Sequence, residues 1–386
     1  MSIMLFQFIV FCFYCLTILI LLWYYLYYFA RISFSKQSAA HVLVNKDTSI
    51  PASIIICAKN EDHNLPEFLP LILSQDYPDY EVIVVNDCSW DNTAEVLREF
   101  EKKYSHLKVI TINEDIKHSH GKKFAIMVGI KGAKNEHLLF TDGDCKPLGN
   151  QWIKYMISNF SNDTDIVLGF SKYEKLPGFL NKIIRFDTFQ IALQYLSFAK
   201  AGTPYMGVGR NLAYKKSLFF KHKGFATHYH IESGDDDLFI NQSATSSNTQ
   251  VEFSAESFTV SRVKQNWKDW VEQKRRHITT WKEYKRMDKI RLGIYPATQF
   301  YFLLSFVTLL SFHPTIIFPE LYLYFIIGLF CFKTIVQGIV FKLSMDKLKE
   351  KDLLLTSFIT EVFLLFFYPI VSLINTVYRK NKWKKT

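Results

Sequence analysis

Residues 136–147 read EHLLFTDGDCKP, and this stretch decides the fold that we predict. Its apolar part, 137–141, has the length of a buried strand, and two aspartates, Asp142 and Asp144, follow where that strand should end. Three further apolar runs have the same character: 53–57, 81–85 and 109–112. Helical patterns separate them: 64–73, 91–104 and 121–132. This alternation predicts βαβ units and a parallel α/β sheet.

Polar side chains follow three of the predicted strands. Asn60 and Glu61 come after the first, Asp87 after the second, and Asp142 with Asp144 after the fourth. In open α/β sheets, ligands bind beyond the carboxyl ends of the strands, so we expect these residues to line one site. Neither G-x-G-x-x-G nor G-x-x-x-x-G-K-[ST] occurs, which argues against a nicotinamide, flavin or P-loop site.

The Asp-Gly-Asp sequence has the spacing of a divalent-metal site. Residues i and i+2 of an extended chain lie on the same side, so Asp142 and Asp144 can share one hard cation, Mg²⁺ or Mn²⁺. Such a cation often bridges to substrate phosphates, and the formal charge of +10 and pI near 9.1 also favour an anionic partner. An ordinary turn is the alternative interpretation.

Both ends of the chain are apolar enough to cross a membrane. No charged residue occurs between positions 4 and 29, and the segments 297–318, 321–341 and 353–378 are also long and apolar. We therefore predict a transmembrane anchor over 1–30, and about three transmembrane helices with a basic tail over 295–386. Arg31 and Lys36 follow the first segment, so the positive-inside rule places the central region, 47–261, in the cytoplasm.

The basic tail, 378–386, conflicts with this topology. One crossing before the central region and three after it would place the tail outside, whereas its charge favours the inside. Glu361 and Pro369 in the last segment suggest a re-entrant hairpin or an interfacial helix instead. The sequence leaves these alternatives open.

The segment 262–294 is basic and contains three tryptophans, Trp267, Trp270 and Trp281. Basic residues interleaved with aromatic ones are typical of nucleic-acid binding. Next to a membrane entry, however, an interfacial amphipathic helix with tryptophan anchors explains the same composition better. We therefore predict a membrane partner and no nucleic acid.

Taken in order, the motifs from 53 to 281 resemble the membrane-bound family 2 glycosyltransferases. These enzymes have a GT-A domain, a Rossmann-like nucleotide-diphospho-sugar transferase fold, flanked by transmembrane helices. The resemblance rests on SIIICAKNED, VVNDCSWDNT, the Gly121-Lys122-Lys123 segment, TDGD, GVGRNLAY, SGDDDL and QKRRH.

The resemblance implies a role for each matched residue. Donor-binding residues would be Asn60, Glu61, Asp87, Lys122 and Asp142, and the metal ligands Asp142 and Asp144. Gly209 and Asn211 would lie on the acceptor side. The catalytic group would comprise Asp235, Asp237, Gln273 and Arg276. Alignment on Asp-Leu makes Asp235 the general base, with Asp236 and Asp237 as rivals.

The chain departs from the family pattern at three positions. Asn86 replaces the first Asp after the second strand, Gly234 replaces a Glu, and His277 stands where a Trp is expected. That Trp is strongest in processive polysaccharide synthases, so the His argues against long-chain polymerisation.

The function implied is sugar transfer from a nucleotide-diphosphate sugar to a lipid-linked or glycan acceptor, metal-dependent and with inversion. The protein would be an integral multi-pass protein of the plasma membrane, with its catalytic domain cytoplasmic. Two alternatives remain: a nonenzymatic membrane protein with a nucleotide-binding GT-A-like domain, and a partner in polysaccharide export.

Overall fold

The computed structural model describes residues 2–35, 50–113, 121–311 and 319–377. Lys36, residues 312–318 of the predicted segment 297–318, and the basic tail 378–386 lie outside the described residues. The backbone divides into two compact units: Lys36–Tyr284 with Val371–Thr386, and Met1–Ser35 with Lys285–Ile370.

The first unit is built on a seven-stranded sheet. Its strand order is β3-β2-β1-β4-β8-β6-β9, and a second sheet has the order β5-β10-β7. The strands are β1 (Ala52–Ala58), β2 (Tyr80–Asp87), β3 (Leu107–Ile112), β4 (His137–Asp142), β5 (Cys145–Pro147), β6 (Ile166–Leu168), β7 (Ser171–Tyr173), β8 (Leu212–Lys215), β9 (Thr249–Val251) and β10 (Thr259–Ser261).

The remaining elements are helices. In chain order they are α1 (Ser2–Trp23), α2 (Ala30–Ser33), α3 (Leu65–Leu73), α4 (Thr93–Lys103), α5 (Lys122–Gly132), α6 (Trp152–Ile157), α7 (Phe179–Lys200), α8 (Lys216–Lys221), α9 (Asp237–Ser243), α10 (Trp267–Ile278), α11 (Arg286–Ser311), α12 (Pro319–Lys347) and α13 (Leu354–Val377).

Strand β1 explains why the predicted α/β fold forms. It pairs in parallel with β2 on one side and β4 on the other, and its isoleucines are buried on both faces. A strand covered on both faces is expected to be mainly apolar, and residues 54–58 of β1 show this pattern. Helix α5 lies close to the sheet at Gly129, where a β-carbon would come 2.7 Å from Ile55 Cγ2. The four predicted strands and three predicted helices are confirmed.

Strand β8 is one of the strands that the sequence pattern did not indicate. It runs antiparallel to β4, with Leu212 paired to Phe140. Its first residue therefore lies beside the carboxyl end of β4. Residues 209–211, which precede β8, are brought to the edge where Asp142 ends its strand.

Among the described residues, four helices are long and apolar enough to cross a membrane: Leu5–Ser33, Arg286–Ser311, Leu321–Lys347 and Lys351–Val377. Helix α13 continues through Pro369, so the re-entrant hairpin considered from the sequence is not observed. Glu361 is buried, and its carboxylate accepts a hydrogen bond from Tyr295 (2.6 Å) and another from Gln337. Buried ionisable groups in such helices require partners of this kind.

The basic segment 262–294 is not one interfacial helix. Helix α10 ends at Ile278, and α11 already begins at Arg286. Trp267 and Trp281 are exposed, but Trp270 is fully buried, so it cannot be a membrane anchor as the composition suggested.

Candidate active site

The carboxyl ends of β1, β2 and β4 are level with one another. Cys57 of β1 is paired with Asp142 of β4, and Ala58 is paired with Asn86 of β2. The register therefore places Asp87 and Asp142 at the same edge of the sheet.

The loops after β1 and β2 are held together by hydrogen bonds. The backbone N–H of Asn60 donates to Ser89 Oγ (3.0 Å), and that of Glu61 donates to Thr93 Oγ1 (2.8 Å). Asn60 Oδ1 in turn accepts from the backbone N–H of Trp90 (3.0 Å). These contacts fix the loop that carries Asn60 and Glu61 against the loop that follows Asp87.

Glu61 lies against the Asp-Gly-Asp turn. A β-carbon on Gly143 would come 3.0 Å from Glu61 Cγ, so only glycine permits this close approach without a shift. Burial raises the pKa of Glu61 to about 7, and Asp144 and Asp142 act in the same direction. The loop after β1 thus adds a carboxyl group to the edge that the predicted metal pair occupies.

The aspartate pair suits a hard divalent cation. Ligand atoms of Asp142, Asp144 and Cys145 all lie within 4.8 Å of one another. Burial raises the pKa of the Cys145 thiol well above its usual range, and the thiol donates to Asp144 Oδ1 (3.3 Å). The protonated thiol leaves two carboxylates as ligands, which matches the preference of Mg²⁺ and Mn²⁺ for oxygen.

The two lysines at the start of α5 have different roles. Lys122 forms an ion pair with Asp142 and lies 3.6 Å from Asp235, so it faces the site. Lys123 is almost fully buried and donates to the carbonyl oxygens of His228 (2.6 Å) and Ile231 (2.9 Å). Lys123 therefore holds the segment before the acidic cluster and does not line the site.

Three successive aspartates, 235–237, occupy different environments. Asp235 has only 13% of its side chain exposed and contacts Lys122. Asp236 caps α9 by accepting from the backbone N–H of Asp237 (2.7 Å), and it also accepts from that of Gly209 (2.7 Å). Both Asp235 and Asp236 line a cavity with Lys122, Asp142 and Gly209.

Asp237 is directed away from this cavity. Its carboxylate accepts hydrogen bonds from Thr280 Oγ1 (2.6 Å), Tyr284 Oη (2.8 Å) and the backbone N–H of Leu238 (2.8 Å). The side chain therefore joins α9 to the turn after α10. Of the two aspartates predicted to be catalytic, only Asp235 lies with the metal pair.

Gly234 explains one departure from the family pattern. Its φ is +94°, a conformation that L-residues rarely adopt, and a β-carbon would collide with Leu238. The backbone conformation here disfavours a residue with a β-carbon, including the glutamate that the resemblance leads us to expect.

The predicted acceptor-side residues, Gly209 and Asn211, precede β8. Gly209 lines the cavity, whereas Asn211 is completely buried. The Asn211 amide donates to the carbonyl oxygens of Phe170 (2.8 Å) and Ser257 (2.7 Å), and its Oδ1 accepts from Trp152 Nε1 (3.0 Å). The buried Asn211 side chain therefore holds the predicted acceptor-side stretch in place through these hydrogen bonds. A direct contact with the acceptor stays a prediction for Gly209 alone.

Helix α10 carries Gln273 and Arg276. Gln273 donates to the hydroxyl oxygen of Tyr173 (3.2 Å), and Arg276 is exposed on the following turn. A buried ion pair between Lys274 and Asp187 of α7 fixes the helix to the rest of the unit.

Two basic residues near the aspartate pair, Arg210 and Lys264, were not predicted to belong to the site. The Arg210 guanidinium carbon lies 4.4 Å from the centroid of the Tyr173 ring. Burial raises the pKa values of Asp144 and Glu61, and the nearby charge of Lys264 acts in the opposite direction on both. Arg210 stands inside the quoted GVGRNLAY motif, so its basic charge beside a predicted site residue was an available signal.

Comparison with known proteins places this site in context. Residues 53–222 match the family described as "Glycosyl transferase family 2". The chain is similar to the glycosyltransferase AglE of Haloferax volcanii, with 30% identity over 171 residues, covering 44% of this chain and 52% of that protein. It is also similar to a poly-beta-1,6-N-acetyl-D-glucosamine synthase of Staphylococcus epidermidis, with 32% identity over 133 residues, covering 34% of this chain and 31% of the synthase. The chain thus spans about half, or less, of these relatives.

A solved structure confirms the fold. The mannosyltransferase PcManGT from Pyrobaculum calidifontis, in complex with GDP-Man and Mn²⁺, superposes with a TM-score of 0.57 at 15% identity. The alignment covers 92% of this chain and 98% of that one. The likeness confirms the predicted GT-A architecture. The acidic cluster and α10 lie beyond the family match, so their roles depend on the geometry described above.

Proposed function

We propose that this protein, whose residues 53–222 form a glycosyl transferase family 2 domain, transfers a sugar from a nucleotide-diphosphate donor to a lipid-linked or glycan acceptor. One observation carries the proposal: Lys122 contacts both Asp142 of the metal pair and Asp235 of the acidic cluster. A cation-binding group, a basic side chain and a further carboxylate, that of Asp235, therefore meet at the edge where α/β sheets bind ligands.

The charge arrangement suits departure of a diphosphate. A divalent cation held by Asp142 and Asp144 would neutralise the developing negative charge on the leaving group. Lys122 adds a second positive charge at the same edge. Exposed Arg276 on α10 is the third cation that we assign to this group.

Asp235 is the residue that we assign as general base. The carboxylate takes the proton of the acceptor hydroxyl while the hydroxyl oxygen attacks the anomeric carbon. The bond between that carbon and the diphosphate oxygen breaks in the same displacement, so the anomeric configuration inverts. Asp237 does not compete for this role because three donors already occupy its carboxylate.

The four long apolar helices support a location in the membrane. The basic residues Arg31 and Lys36, which follow the first of them, support a cytoplasmic side for the domain. A membrane location favours a lipid-linked acceptor over a soluble one.

The test is label transfer by the purified full-length chain in detergent. Radiolabelled UDP- and GDP-sugars are incubated with Mn²⁺ and a membrane lipid extract or glycan acceptors, with EDTA as the metal-free arm. We expect metal-dependent transfer from one donor, and its loss in Asp142→Ala but not in the control Asp163→Ala, which changes an exposed residue outside the site. Binding of a nucleotide sugar with neither transfer nor hydrolysis would instead indicate a nonenzymatic binding domain.

A further inference from the structure

Arg210 is a half-buried arginine for which the described part of the chain provides no acidic partner at ion-pair distance. Its Nη1 donates to Ser261 Oγ (2.9 Å), and its guanidinium lies over the Tyr173 ring, 4.4 Å from the centroid. Among the described residues, no carboxylate lies within 4.0 Å of it. A guanidinium offers five N–H donors in a fixed fork, and here a neutral hydroxyl receives one of them.

Hydrogen bonds connect Arg210 to the metal pair. Ser261 Oγ, which accepts from Arg210, lies 2.8 Å from Cys145 Sγ, and the Cys145 thiol donates to Asp144 Oδ1 (3.3 Å). The sheet fixes this order, because Ser261 of β10 is paired with Cys145 of β5 and with Tyr173 of β7. Arg210 thus approaches the second aspartate, while Lys122 contacts the first.

The backbone also holds Arg210 rigidly. Its carbonyl oxygen accepts from Thr141 Oγ1 (3.0 Å) and Thr259 Oγ1 (2.9 Å), so strand β4 and strand β10 both fix its position. Burial opposes the charged form, but Asp144 and Asp142 are among the groups that raise the pKa of Arg210. The side chain is therefore a positioned, permanent cation.

We propose that Arg210 binds a phosphate oxyanion of the substrate beside the Asp142–Asp144 pair. The planar fork matches phosphate geometry, and a desolvated guanidinium with unused donors favours such a ligand. Two sources have this chemistry: the diphosphate of the donor and a phosphate on a lipid acceptor. The proposal rests on the proposed function for the presence of such a substrate.

Binding measurements test this without relying on turnover. The whole chain in detergent is titrated calorimetrically with UDP, GDP and inorganic pyrophosphate, each in the presence of Mn²⁺ and again with EDTA. A second series uses hexadecyl phosphate, with hexadecanol as the control that lacks the phosphate. The variants are Arg210→Gln and Arg210→Lys. The control is Arg98→Gln, which changes an exposed arginine on α4.

We expect Arg210→Gln to weaken phosphate binding by about 10- to 100-fold, as for a charge-assisted hydrogen bond, with Arg210→Lys recovering part of the loss. Weaker binding of the diphosphates identifies the donor as the source, and weaker binding of hexadecyl phosphate alone identifies the acceptor. The proposal is overturned if Arg210→Gln keeps its affinity for every probe, or if only its thermal stability falls. It is also overturned if the parent chain binds none of the probes.

This result is separable from the proposed function. If the parent chain transfers sugar and Arg210→Gln keeps its affinity for every probe, only the role of Arg210 is refuted. A chain that binds UDP or GDP through Arg210 but transfers no sugar refutes the transferase assignment only.

Discussion

Replacement of Asp235 by asparagine should separate proton transfer from donor binding. Asparagine is nearly isosteric, so the loop and its positive-φ Gly234 should keep their conformation. The carboxylate that faces Lys122 is lost. Because general-base contributions are typically about 10²–10⁴-fold, we expect turnover to fall by that factor.

The same change should not weaken donor binding. Lys122 is shared between Asp142 and Asp235, so removal of one negative charge leaves the site more attractive to an anionic diphosphate. We therefore expect the dissociation constant for the nucleotide diphosphate to be unchanged or lower. The measurements are initial rates of label transfer at saturating donor and calorimetric titration with the diphosphate and Mn²⁺.

Asp237→Asn is the matched control, two residues away. Its carboxylate accepts hydrogen bonds from Thr280, Tyr284 and Leu238, and hydrogen bonds to charged groups are worth about 1.5–3 kcal/mol each. This variant should lower the thermal midpoint, with a smaller effect on turnover of the protein that remains folded. Near-normal turnover in Asp235→Asn, together with an inactive but stable Asp237→Asn, would refute the reasoning and move the base to Asp237.

Three further predictions follow from the charges. Asp142→Ala and Asp144→Ala should each remove Mn²⁺-dependent diphosphate binding in calorimetry, and unchanged binding in both would make Asp-Gly-Asp a simple turn. Burial, with Asp235 and Asp237 next in effect, raises the pKa of Asp236 to about 7, above an unfolded value of about 3.9. The stability that the protonated Asp236 contributes is present below the unfolded pKa and is lost as pH rises through 7. Asparagine does not titrate, so the thermal midpoint of Asp236→Asn should rise relative to that of the parent between pH 5 and 8. A difference in midpoint that stays constant over this range would contradict the prediction. Lys333 donates a hydrogen bond to Gln337 (2.7 Å), and Gln337 donates one to Glu361. Lys333→Met and Glu361→Gln should therefore each lower the thermal midpoint, and the double variant should recover part of that loss. Losses that are purely additive would rule out coupling between the two residues.

The four parallel strands of the sheet, β1 to β4, and the long apolar helices could be predicted from the sequence alone. Runs such as 54–57 are apolar at every position because a parallel strand is buried on both faces, and that requirement is local enough to predict from composition. The same reasoning placed Asp87, Asp142 and Asp144 at strand ends, and hence at one edge.

Only the tertiary structure decided which of several adjacent residues face the site. Lys122 and Lys123 are equivalent by composition, yet one contacts Asp142 and the other donates to loop carbonyls 105 and 108 positions away. Asp235 and Asp237 differ in the same way, because Thr280 and Tyr284 are distant in sequence and reach Asp237 only when α10 and the turn that follows it are packed.

Arg210 illustrates the physical reason. Its environment is made by three short strands, β5, β7 and β10, each of three residues and too short to give a periodic signal. Their pairing brings together Cys145, Tyr173 and Ser261 from separate parts of the chain. Periodicity records which face of an element is buried, whereas the partner of a given charge depends on contacts between segments that no local pattern specifies.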